Sequence, residues 1–129
     1  MITLQSEDRA ILCAAYALEK KAHHVRILEV RGLSTLTDYL VLASGRSDRQ
    51  VQAVAEGIRL GLKQEHTTVP LGVEGMKDGR WVLLDYGDVM IHIFQEPVRE
   101  YYDLDGLWRE AREVPVPEKY HWQAQAERG

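Results

Sequence analysis

The run Arg80-Trp81-Val82-Leu83-Leu84-Asp85-Tyr86-Gly87-Asp88-Val89-Met90-Ile91-His92-Ile93-Phe94 leaves this chain few ways to fold. Two segments rich in β-branched, aromatic and long apolar residues flank Gly87-Asp88, a pair suited to a tight turn with positive φ. The spacing predicts a β-hairpin in which Tyr86 faces Val89, Asp85 faces Met90, Leu83 faces His92 and Trp81 faces Phe94. Successive side chains on a strand point to opposite sides, so this register sorts the residues into two faces. Val82, Leu84, Tyr86, Val89, Ile91 and Ile93 make one face, apolar enough for a covered core. Trp81, Leu83, Asp85, Met90, His92 and Phe94 make the other. That face is too apolar for idle solvent and too polar for an ordinary core, and it suits a surface covered by another molecule.

The remainder of the chain supplies what the hairpin packs against. With 129 residues, 45% of them apolar, it has the size of one domain that buries roughly two-thirds of its unfolded surface. Ser6 stands where it would cap a first helix, with Glu7 and Asp8 in the opening turn and a stripe of Ile11, Ala14, Ala15, Leu18 and Ala22. Val25 to Val30 alternates as a strand. Asp38 to Ser44 reads as a second strand, apolar on both sides and therefore internal to the sheet. Ser47 and Gln50 have capping-box spacing at the start of a second helix that buries Val51, Val54, Ala55, Ile58 and Leu62 and ends near His66. Gly57 and Gly61 lower its propensity and fit close packing on the sheet. Val69 to Val73 reads as a short edge strand, because Pro70 cannot donate to a central ladder.

After the hairpin, Pro97 opens a helical region from about Val98 to Arg112, with Leu104, Leu107 and Trp108 spaced as core anchors. Pro115 and Pro117 break structure, so residues 1–112 read as the domain and 113–129 as a mobile C-terminal tail. The order helix, strand, strand, helix, strand, strand, strand, helix predicts an α/β fold. Its mixed five-stranded sheet carries two long helices on one face and a C-terminal helix. The opposite face of such a sheet stays partly open.

Several kinds of chemistry find no support. The net charge of −4 offers no basic stripe for nucleic-acid phosphates. No apolar run has the length of a membrane span, and the N-terminus lacks the apolar region of a signal peptide. The single Cys13 rules out a disulfide scaffold, makes a reducing cytoplasm the expected compartment, and reads as a small buried thiol. His23 and His24 are adjacent and point apart, and His66 and His121 fall in loop or tail, so no metal site is expected. The phosphate-binding glycine motifs are absent, and no cofactor is expected. Gly45-Arg46-Ser47 before a helix is the turn type used by nucleotidyltransferases, and a helix start can hold phosphate. Those enzymes also need paired carboxylates for two metal ions. Asp103 and Asp105 have the spacing but open a helix, while Asp85 and Asp88 flank a turn and diverge. No catalytic residue is expected.

Thr37-Asp38-Tyr39, Ala43-Ser44-Gly45, Arg49-Gln50-Val51-Gln52-Ala53, Glu74-Gly75 and Trp81-Val82-Leu83-Leu84-Asp85 occur in that order. Tyr86-Gly87-Asp88-Val89, His92-Ile93-Phe94 and Tyr102-Asp103-Leu104-Asp105-Gly106-Leu107-Trp108 follow. In order and spacing they closely resemble the bacterial ribosomal silencing factor (Iojap) family, from about Glu7 to Arg112. Asp105 stands where that family more often has Glu, which keeps the charge. The resemblance implies a nucleotidyltransferase-like layout and binding to the large ribosomal subunit through its L-series protein number fourteen. It implies steric exclusion of the small subunit without any reaction, and a homodimer when free. Arg46 and Arg49 near the start of the second helix are too few for a nucleic-acid patch, which leaves at most a minor rRNA contact. The acidic balance agrees with docking on a basic ribosomal protein.

Together these readings make Trp81, Asp85, Met90, His92 and Phe94 the candidate partner-binding residues, with Tyr39 on a neighbouring strand as an extension. The same hairpin also admits a plainer reading, in which Trp81 and Phe94 pack under the C-terminal helix and Asp88 serves only the turn. Two other functions stay open on the sequence: a large-subunit assembly factor, and a degenerate nucleotidyltransferase-like nucleotide-binding protein.

Overall fold

A computed structural model describes residues 5–120. The element order is α1 (Ser6–Glu19), β1 (His23–Glu29), β2 (Tyr39–Gly45), α2 (Asp48–His66), β3 (Gly72–Glu74), β4 (Trp81–Asp85), β5 (Val89–Gln95), α3 (Glu96–Tyr102), α4 (Leu104–Leu107) and β6 (Arg112–Val114), followed by a 3-10 turn at Glu118–Tyr120. The strands form one mixed sheet of six, in the order β3-β4-β5-β2-β1-β6. Only β2 and β5 run parallel; every other pair is antiparallel.

The sixth strand corrects the expected five-stranded sheet and the expected tail. Residues 113 and 114 do not begin a tail: Val114 pairs with Ile27 and Glu113 with Leu28 at the free edge of β1. Val114 is buried there, and the Arg112 guanidinium spans Glu29 and Glu7. The pairing hides β1's unpaired backbone groups.

Each element has a local cause. Ser47 Oγ caps α2 by accepting from Gln50 N–H, while Gln50 Oε1 accepts from Arg46 N–H. Ser6 does not cap α1, whose N-cap is Gln5; its hydroxyl instead donates to Asp88 across the molecule. β2 is buried along its whole length, as expected of a central strand. The C-terminal helix breaks in two at Asp103, where φ is +48° and the side chain accepts from Gly106 N–H to start α4.

α1 and α2 pack side by side on one face of the sheet. Between them and the strands lie Cys13, Ala14, Ala17, Val54, Ile58, Val41, Val82, Leu84, Ile91 and Ile93. Gly57 and Gly61 face α1 and not the sheet: a Cβ on Gly61 would lie 2.6 Å from the Tyr16 ring. A second, smaller core of Leu28, Val30, Leu40, Leu42 and Phe94 occupies the opposite face, beneath Val98, Leu104, Trp108 and Ala111. Leu107, read as a core anchor, is exposed. The short helices α3 and α4 cover only part of that face, and the outer side of β3, β4 and β5 is left partly open away from Phe94.

Candidate partner-binding face

The hairpin forms in the expected register, with Trp81 opposite Phe94, Leu83 opposite His92 and Asp85 opposite Met90. Tyr86 N–H donates to Val89 C=O at 2.9 Å, and Gly87 has φ +87°. Asp88 has no positive φ, so only the first turn position is left-handed, the φ signature of a type II′ turn. The register sends Trp81, Leu83, Asp85, Met90 and His92 to the outer face. All five are partly buried, neither sealed nor free. β3 adds an exposed Glu74 opposite Leu83.

Trp81 is the centre of an aromatic group. Its ring lies 4.8 Å from that of Tyr102, 5.5 Å from Phe94 and 5.8 Å from His92, centroid to centroid. Its indole N–H donates to His92 Nδ1 at 3.0 Å. Burial holds the His92 imidazole neutral, with its pKa pulled down to about 4. Glu74, Trp81, Leu83 and His92 line a shallow hollow of about 240 Å³.

Two expected members do not belong to this surface. Phe94 has no exposed area and is part of the second core, because α3 covers the end of β5 that carries it. The plainer reading of the hairpin therefore holds for Phe94 and for one side of Trp81. Tyr39 points to the helix-covered face, where it is buried and its hydroxyl bonds Glu29 and Glu7. Its neighbour across β5 is Val89, which belongs to that same face. Burial and the bond to Glu29 raise its phenol pKa.

The acids divide similarly. Asp85 Oδ1 accepts from Gly87 N–H at 2.8 Å, which fixes the turn and leaves the carboxylate at the rim of the face. Asp88 does more than serve the turn: it accepts from Arg9 Nη1 and Ser6 Oγ, each at 2.6 Å, and ties the hairpin to α1. Tyr101 and Tyr102 are both exposed and fall outside the expected partner-binding set, although Tyr102 opens one of the family-like motifs. Their available signal is an aromatic pair at the end of a short helix, and the sequence does not show which ring lands beside Trp81.

A buried arginine sets where α3 sits. Arg99 Nε and Nη2 donate to the Asp105 carboxylate at 2.9 Å, and Nη1 donates to His24 C=O and Ser44 Oγ. The Asp105 carboxyl is held down to about 2, chiefly by its bond to Arg99, against the opposing effect of burial and with help from Arg26. This cluster pins α3 and α4 to β1 and β2 and so places Tyr102 against Trp81.

Among the described residues no catalytic constellation is assembled. Asp105 is committed to two arginines, Asp88 to Arg9, and Asp85 to its own turn. Burial pushes the Cys13 thiol up to about 12, which makes it a poor nucleophile. Among the described residues no group of three or more His, Cys, Asp or Glu side chains could hold a metal, and no helix is long and apolar enough to cross a membrane. His121 lies outside the described residues.

An α/β sheet with one sealed face and one half-open aromatic face defines a binding module. Comparison with known proteins supplies its family: residues 3–129 match "Ribosomal silencing factor during starvation". The ribosomal silencing factor RsfS of Bacillus subtilis is 38% identical over 100 residues, 78% of this chain and 84% of that one. The chloroplastic Iojap protein of Arabidopsis thaliana is 31% identical over 108 residues, 84% of this chain but 44% of that one. A crystal structure of a Chromobacterium violaceum protein superposes with a TM-score of 0.79 at 29% identity, covering 92% of this chain and 99% of that chain. The chain belongs to the ribosomal silencing factor (Iojap) family of non-enzymatic translation regulators.

Proposed function

We propose that this chain acts in the cytoplasm by binding the large ribosomal subunit through its L-series protein number fourteen. Once bound, it occupies space that the small subunit needs, and translation is repressed by exclusion alone. The observation that carries this reading is the half-buried outer face of β3–β5, where Trp81, Leu83, Met90 and His92 stand between Glu74 and Asp85. Large aromatic and sulfur-bearing side chains with a few polar groups are the usual makeup of a binding centre, and the acidic rim suits a basic ribosomal protein. Trp81, Leu83 and Met90 supply area, Asp85 and His92 fix orientation, and Tyr102 extends the patch. Arg46 and Arg49, exposed at the start of α2, allow at most a minor rRNA contact. The nucleotidyltransferase-like layout enters this proposal as topology, without its chemistry.

In the free protein the same face pairs with a second copy, since a two-fold contact would cover apolar surface otherwise left in water. Dimer and ribosome then compete, and sedimentation velocity with and without the purified ribosomal protein would detect this. A ternary species that keeps the dimer intact at this face would end that part of the proposal.

The test of the main reading is co-sedimentation with isolated large and small subunits. Wild-type protein should pellet with the large subunit alone, Leu83→Asp should not, and both should melt at similar temperatures. Failure of the wild-type protein to bind either subunit would refute the ribosomal reading. Selective capture of immature over mature large subunits would replace silencing with an assembly role that uses the same contact.

A further inference from the structure

We infer that His92 acts on this face as a one-way hydrogen-bond donor, fixed by Trp81 with its proton on Nε2, and that the group it selects is a main-chain carbonyl on a basic segment of the partner. The inference rests on the partner-binding reading of the same face and names the contact at its centre.

The argument begins with what an indole can do. Its N–H donates and has no lone pair to accept with. Trp81 Nε1 lies 3.0 Å from His92 Nδ1, so Nδ1 must present its lone pair. An imidazolium, or a neutral ring protonated on Nδ1, would set two donor hydrogens against each other. The remaining form carries its hydrogen on Nε2. That atom makes no hydrogen bond among the described residues, and it is not among the buried polar atoms that lack a partner. It is therefore open to a ligand, on a ring that lines the hollow with Glu74, Trp81 and Leu83. Burial adds to the effect by keeping the ring neutral at physiological pH.

The surroundings narrow the ligand. The one lone pair of the imidazole is taken, so an ammonium or guanidinium group gains nothing from it. A carboxylate or phosphate could accept from Nε2, but Glu74 on β3 and Asp85 on β4 oppose a second anion there. A neutral oxygen satisfies both conditions, and a backbone carbonyl is the neutral acceptor that every peptide segment carries. The same two acids favour lysine or arginine on either side of it. Trp81 is then a positioning residue for His92 as well as a source of contact area.

Two measurements decide this. Long-range proton–nitrogen NMR of the free protein at neutral pH should show His92 as a single tautomer with Nδ1 unprotonated. Trp81→Phe keeps a ring in place but removes the indole N–H, and should give a mixture of tautomers. A wild-type ring protonated on Nδ1, or one that titrates near pH 6.5 while folded, overturns the inference. In co-sedimentation, His92→Leu should bind the large subunit about tenfold more weakly with Tm unchanged, the loss expected for one hydrogen bond in a desolvated contact. His92→Gln retains an N–H donor and should recover most of that loss. Equal binding by wild type and both variants overturns the recognition half. If His92→Leu does not fold, the glutamine variant and Trp81→Phe decide the matter. If wild type binds neither subunit, the ribosomal reading and the recognition half fall together, and the NMR result still judges the tautomer.

Discussion

The two faces of the β4–β5 hairpin are made from alternate residues of the same strands, yet they end in different environments. On the α1/α2 side Val82, Leu84, Val89, Ile91 and Ile93 are all 0% exposed. On the other side Phe94 alone reaches that state, while Trp81, Leu83, Asp85, Met90 and His92 remain partly exposed. Composition does not explain the contrast, since both faces carry large apolar residues. Coverage does. α1 and α2, of 14 and 19 residues, cover one face broadly, whereas α3 and α4 have 7 and 4 and reach β4 only at Trp81, through Tyr102. Core and interface here differ by what lies above a residue more than by what it is.

That contrast can be broken most severely at Phe94. Phe94→Ala should lower unfolding free energy by about 3–5 kcal/mol, because it empties a sealed site. Chemical denaturation would show it, and a loss of binding without loss of stability would return Phe94 to the interface. Next comes the clamp that places α3. Asp105→Asn leaves the buried Arg99 guanidinium without its bonded carboxylate and should cost about 3 kcal/mol, while Asp105→Glu, which keeps the charge, should recover most of it. At Leu83 the balance reverses: Leu83→Asp should weaken partner binding by about 2 kcal/mol with little change in Tm.

Smaller effects sharpen the picture. Gly61→Ala adds a Cβ against the Tyr16 ring. The overpacking cost of about 1–3 kcal/mol should exceed the helix-propensity gain of about 1 kcal/mol, so the variant should be slightly less stable in a thermal melt. A pH-dependent effect stands apart from this order. The folded pKa of His92 lies near 4, below its ordinary 6.5. Its contribution is therefore fully present above pH 6.5 and is lost as the pH falls through about 4. Melts between pH 7 and pH 4 should show a decline that His92→Gln reduces.

The sequence made the hairpin legible in detail because a period of two and a glycine turn fix register together. It could not show that Phe94 is sealed. That depends on α3 folding back from residues further along the chain, and nothing in a strand's own pattern reports its lid. The expected place of Tyr39 in the patch fails for a related reason: its face follows from the parallel pairing with β5, a non-local fact. β6 was missed because Arg112-Glu113-Val114 is too short to show alternation and sits beside two prolines. The break at Asp103 was closer to the surface of the sequence, since an Asp three residues before a Gly is a common local cap. Gly57 and Gly61 signal close packing, but the neighbour that uses it is α1 and not the expected sheet, a choice that helix spacing alone does not report.

The sixth strand has a consequence for the order in which this protein is made. β1 emerges from synthesis at residues 23–29 and finds β2 soon afterwards, but its outer edge must wait for residues 112–114. Contacts so far apart in the chain form late and slow the search for the native state. Until residues 112–114 are made the chain therefore carries an unpaired strand edge, the feature most apt to recruit another chain. The hydrogen bonds of that edge close only after the whole stretch from β1 to β6 has been made.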